Sequence, residues 1–153
     1  MTTALLLLHS IVAVALLGAV THQAFAASRR ADARKTSFLG RFRGTDPGAY
    51  GTAVVVLFIA VSLMGAFLYP DYRRVVRPLL QTLDMRSPNG AFELKEHFSA
   101  LGLAILPAYW VIWKKPAAEY GAARVWLTWI LAAIVWWNFM VGEVLVIIKG
   151  LFP

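Results

Sequence analysis

Cysteine is absent from this chain, which excludes disulfides, thiolate metal sites and thiol nucleophiles. Charge is scarce as well. Only 15% of the 153 residues are Asp, Glu, Lys or Arg, where a soluble domain carries about a quarter. There is no Ser-His-Asp order, no HExxH pair and no nucleotide-binding glycine fingerprint, so enzymatic activity is left open. What the chain has instead is apolar length. Hydrophobic residues make up 59% of it, the mean hydropathy is +0.65, and they fall in long runs. Residues 1–153 therefore read as a single integral membrane domain with no room for a separate soluble module.

Four segments stand out, at about 4–27, 50–69, 91–113 and 125–148. Each approaches the ~20 residues that cross ~30 Å of hydrocarbon at 1.5 Å per residue. The fold class this predicts is all-α, an integral membrane bundle of four transmembrane helices. "SPNG" at 87–90 is a turn signal, so the third helix is expected to begin near Ala91. Glu93, Lys95, Glu96 and His97 then stand in its first turns, and Pro107 is expected to kink it. Residues 70–90 form the longest connection, read as a short amphipathic segment along the membrane surface. The first segment ends in "AFAA", which resembles an export cleavage site. No basic residue precedes it and Arg29 and Arg30 follow it, so it is expected to be retained.

Orientation is read from the basic residues beside the spans. The connections after the first and third segments hold six and three Lys or Arg, against six on the other side. That balance places both termini outside, in a membrane read as a bacterial inner membrane. Tyr109, Trp110, Trp113, Trp126 and Trp129 then read as an aromatic belt at the cytoplasmic interface. The formal net charge of +7 is accounted for by these flanks and the anionic bilayer they meet, so no nucleic acid is expected as partner.

Ionisable groups within spans cost about 2.5–3.5 kcal/mol on insertion scales, so each calls for an explanation. His9, His22, His97 and Glu143 qualify, with Asn138 a milder case. His9 and Glu143 each lie about five residues from the outer end of their helices, roughly 7 Å in, and His97 lies one to two turns into the third. His9 and His22 are thirteen residues apart, which leaves them about 140° out of phase and unable to serve one seam. One reading is a haem b whose iron is held by His9 and His97, two imidazoles from different helices. Glu93 would then orient the His97 ring, and Arg73 and Arg77 would meet the propionates. A second reading makes these ordinary interfacial residues. A third uses His9, His97, Glu93 and Glu143 as a metal site, or His9 and Glu143 as a proton relay.

"LLHSIVAVALLGAVTHQ", with a histidine opening the helix and a glycine in its middle, resembles small membrane proteins of the copper-resistance D and urate-oxidase membrane-domain type. It is similar too to small haem b membrane cytochromes. The resemblance covers the first helix and the entrance of the third, and it implies a helical bundle with haem bound through histidines near helix ends. The Trp-x-Gly pattern and the four paired histidines of such proteins are missing here. Only His9 and His97 carry over, and they would serve one haem.

The expected function is a small haem b protein carrying single electrons near the outer face, with quinol as a donor. The alternative is a non-catalytic subunit packed against a larger membrane complex through "LLGAV" and "GLAILPA", where Gly18 and Gly102 would form contact surface. A metal- or proton-handling membrane protein is the third.

Overall fold

A computed structural model of the chain describes residues 2–28 and 46–151. Among them there is no strand. The order is α1 (Thr2–Ala27), a single 3-10 turn (Pro47–Tyr50), α2 (Gly51–Asp71), a widened turn (Tyr72–Val76), α3 (Arg77–Thr82), α4 (Arg86–Lys114) and α5 (Ala117–Leu151). Three stretches, Thr3–Ala27, Pro47–Thr82 and Ala117–Gly150, are long and apolar enough to cross a membrane. The fourth long helix, α4, is interrupted by charge in its first half. Its uncharged part after His97, residues 98–113, spans about 24 Å. The basic residues between Arg29 and Arg43, which dominate the charge balance, lie outside the described residues.

The segment expected to be a surface connection is mostly helix. Pro70 sits inside α2, where its missing N–H disturbs the ladder. The backbone widens directly after it, over Tyr72–Val76, before α3 resumes. The reversal falls later, at Asp84, whose φ of 50° is left-handed and acceptable for a short polar side chain. Met85 N–H then reaches back to the Leu80 carbonyl at 2.8 Å. Helix α4 begins at Arg86, so "SPNG" is part of its first turns rather than a turn before it. Pro88 is tolerated there because the first N–H groups of a helix have no partner within it.

Neighbouring long helices pack antiparallel in registers that repeated contacts define. Trp136 Nε1–H donates to Thr21 Oγ1 at 3.0 Å and Trp129 Nε1–H to Ser28 Oγ at 2.8 Å, seven residues back along α5 and seven on from Thr21, just past the end of α1. Those two bonds fix α5 against α1. The core between the four helices takes Leu16 and Val20 from α1, Val54 and Phe58 from α2, Leu106 and Tyr109 from α4, and Leu131 and Val135 from α5. A second cluster at the other end joins Leu80 of α3, Phe92 of α4 and Val141, Leu145 and Ile148 of α5. Among helices surrounded by lipid, close packing and interhelical hydrogen bonds hold such a bundle together.

Gly102 shows how close that packing is. A β-carbon there would run into the Phe58 ring, so α2 and α4 approach over a bare backbone. This residue therefore serves the interior of the bundle, not an outer contact face, whereas Gly18 has nothing near its would-be β-carbon.

The aromatic belt needs a correction. Tyr109 is fully buried and bonds to Gln23, and Trp113 donates through Nε1 to Thr128 Oγ1 at 3.2 Å. Of the five residues read as that belt, Trp126 is the most exposed, at 70%. Arg124 closes this end by donating to the carbonyls of Ile112, Trp113 and Lys115, the last backbone acceptors of α4.

A candidate polar cleft among the helices

At the end of the bundle opposite Tyr109, the helices part around a cleft of about 440 Å³. Its walls are largely apolar and aromatic, with Phe58, Tyr69, Tyr72, Phe92 and Phe139 among them. The polar side chains on it are Thr3, His9 and Ser10 from α1, Ser62 and Asp71 from α2, Lys95, Glu96 and Ser99 from α4, and Asn138, Glu143 and Lys149 from α5, beside the tyrosine hydroxyls.

Helical spacing explains why these residues meet. Lys95 and Ser99 are one turn apart on a single face of α4, as are Asn138 and Gly142 on α5. In the antiparallel register, Lys95 lies over Gly142 and Ser99 over Asn138. The Lys95 Nζ stands 3.7 Å from where a Gly142 β-carbon would be, and Asn138 Nδ2–H donates to Ser99 Oγ at 3.0 Å. Glycine at 142 leaves the volume into which the lysine lies. Across the cleft, His9 Cε1 is 3.6 Å from the would-be β-carbon of Gly65, so a small residue on α2 again makes space for a polar one on α1.

These groups are incompletely satisfied. His9 Nδ1 and Asn138 Oδ1 are buried without a hydrogen-bond partner. Among the described residues, Lys95 has neither an ion pair nor a hydrogen bond; its amino group lies 5.5 Å from the centre of the Phe92 ring. Phe92 is itself stacked on Tyr72, with centroids 3.5 Å apart and planes 15° from parallel. Tyr72 in turn donates through its hydroxyl to Asn89 Oδ1 at 3.1 Å. Native proteins leave few buried polar atoms unpaired, and each such atom asks for an occupant or a role.

The residues expected to hold haem are not all brought together. His9 lines the cleft. His97 is two residues from both Lys95 and Ser99, about 200° round the helix, and it faces outward with an exposed ring. Its Nδ1–H donates to the Glu93 carbonyl at 2.7 Å, one turn back on its own helix. The backbone of Glu93, not its carboxylate, thus orients this imidazole. The Glu93 carboxylate instead lies 3.7 Å from Arg77. Arg73 is exposed and sits 5.9 Å from the Tyr69 ring centre. Axial ligation needs both imidazoles on one iron. The pair His9 and His97 does not fit a shared haem in this arrangement. Glu143 lines the same cleft as His9, but among the described residues no group of three or more His, Asp or Glu converges as a metal site would require. His22, at the far end of α1, shares a hydrogen bond of 2.9 Å with the Tyr50 hydroxyl.

Lys95 is the residue whose place the sequence reading missed, having put it only among the charges at a helix mouth. A signal for it was available: Lys95, Ser99 and Gly102 fall on one side of α4, whereas Glu93, His97, Leu101 and Ala104 fall on the other. Comparison with known proteins adds no family: no family model, curated protein or solved structure matches this chain.

Proposed function

We propose that all four long helices cross the membrane and that the cleft receives a lipophilic small molecule with a polar head, exchanging a proton with it at His9. The charges of α4 do not oppose this crossing. Lys95 turns into the cleft, and Glu93 and His97 lie in the first four turns, Glu93 beside Arg77 of α3, where water and headgroups meet the bundle. The size of the cleft falls within the ~300–1,000 Å³ usual for small-molecule sites, and apolar walls with a few placed polar groups are their usual make-up.

The observation that carries this reading is the unmet polarity on the cleft walls: Lys95 without an ion pair, and His9 and Asn138 each with a buried unpaired atom. A bundle that only filled space would cover such groups with one another. His9 is suited to proton exchange because imidazole titrates nearest neutral pH, and Glu143 and Glu96 stand on the same cleft to pass a proton outward.

Native mass spectrometry of the protein released from lipid nanodiscs tests the reading. The wild-type chain is expected to carry a co-purified small molecule that Lys95→Met loses while its helical circular dichroism is unchanged. Wild-type protein that is bare, and that is not stabilised by any member of a lipophilic small-molecule panel, would overturn it.

A further inference from the structure

The identity of the polar head can be taken further, on the basis of the cleft reading above. We infer that the occupant is a phenol: an aromatic ring bearing a free hydroxyl, with an apolar tail toward the lipid.

The argument is one of matching donors and acceptors. Lys95 brings an amino group that donates. The unpaired end of Asn138 is an oxygen as the amide stands, and would be a nitrogen with the amide turned, since Ser99 Oγ can serve either end. The His9 ring donates to the Val61 backbone carbonyl, which leaves its unpaired nitrogen, Nδ1, as an acceptor. An occupant must therefore meet an amino donor together with an acceptor and an amide end of either sense. A carboxylate only accepts, so it suits Lys95 but meets Asn138 only with the amide turned, and it offers the unpaired His9 nitrogen no proton. A hydroxyl donates and accepts at once, so it accepts from Lys95 and donates to one of the unpaired acceptors.

The spacing fits a single polar head. Lys95 lies over Gly142 and Asn138 lies one turn below it, so the two polar groups are separated by about 6 Å along α5. One hydroxyl, or a hydroxyl and a ring edge, spans that gap.

The walls choose a ring over a chain. Phe92, already stacked on Tyr72, lies beside the Lys95 amino group, and Phe58 and Phe139 line the same space. Offset and edge-on ring contacts add about 0.5–1.5 kcal/mol beyond area burial, and a flat ring exploits such walls better than an alkyl head does. A phenolic hydroxyl is also acidic enough to share its proton with an amine. The exchange is a proton transfer from the phenol oxygen to the unpaired His9 nitrogen: the O–H bond breaks, an N–H bond forms, no electron is moved, and the phenolate oxygen is held by the Lys95 donor.

The test uses the full chain in nanodiscs and 2-fluoro-4-octylphenol, followed by fluorine NMR. The expected result is a shifted bound resonance absent from empty nanodiscs. It should weaken about tenfold or more in Lys95→Met and in the O-methyl ether of the probe, which cannot donate. Lys95→Arg, which keeps a donor, should retain binding and so separates loss of the site from loss of the fold. An ether that binds as well as the phenol would overturn the phenol assignment while leaving the cleft reading standing. Displacement of the probe by nonanoate at lower concentration would also overturn it, in favour of a carboxylate. No binding by phenol, ether or nonanoate would sink the inference and the cleft reading together.

Discussion

The Tyr109 hydroxyl donates to Gln23 Oε1 at 2.5 Å, between two side chains that are both wholly buried and 86 residues apart. Gln23 Nε2–H continues to the Pro47 carbonyl at 3.0 Å, so one carboxamide ties α1 to α4 and to the turn that opens α2. Tyr109→Phe is expected to cost about 1–2 kcal/mol, because it leaves a buried amide oxygen unpaired. Tyr109→Phe with Gln23→Leu should cost less than the two changes summed. Reversible unfolding of the detergent-solubilised protein measures both, and additive losses would show that the bond contributes little.

Gly102 is expected to be intolerant of even one methyl group. Gly102→Ala drives a β-carbon into Phe58 and should destabilise by about 1–3 kcal/mol, with Phe58→Leu restoring most of it. Gly18→Ala, with open space around it, should change stability little. Thermal unfolding of the three variants and the double mutant distinguishes this intramolecular role from a partner surface, for which Gly18 would be the sensitive site.

The Arg77–Glu93 pair, 3.7 Å apart and with the Glu93 side chain 55% exposed, is expected to matter little to stability. Arg77→Gln should shift it by no more than about 1 kcal/mol, and less at high salt. A larger loss in the same unfolding assay would mean that this corner is drier than its exposure indicates.

Asp84 is the one described residue other than glycine with a left-handed backbone. Asp84→Gly should leave stability level or raise it slightly, and Asp84→Val should lower it by about 1–2 kcal/mol. If both behave alike in thermal unfolding, the reversal between α3 and α4 is not the constraint it looks to be.

Haem supplies a sharper contrast between the sequence reading and the arrangement of the helices. Protein made with ample haem and reduced with dithionite is expected to show no α band. A band lost in both His9→Ala and His97→Ala would mean that α4 turns to bring His97 inward.

Much of the architecture is legible from residue order, because apolar runs long enough to cross a bilayer allow little else. Runs of ~20 apolar residues must satisfy their own backbone, which makes them helices. The apolar runs at 4–27 and 125–148 accordingly lie within α1 and α5, the run at 50–69 lies in α2 apart from Tyr50 in the turn before it, and the helix from Ala91 to Trp113 lies within α4. Boundaries were less legible. "SPNG" reads as a turn by its residue types, but Pro and Asn are equally at home in the first turns of a helix, and the reversal went to Asp84.

The site divided along the same line. That His9, Asn138 and Glu143 need an explanation follows from sequence, since polar groups within apolar runs are costly wherever the helices pack. Which of them share a space does not follow. Residue order fixes the angle between Lys95 and His97 on α4, about 200°, but not which of the two faces the other helices. That rotation was decided by the contacts of the folded bundle, with Phe58 over Gly102 and Ser99 against Asn138. Those contacts turned Lys95 into the cleft and His97 out of it.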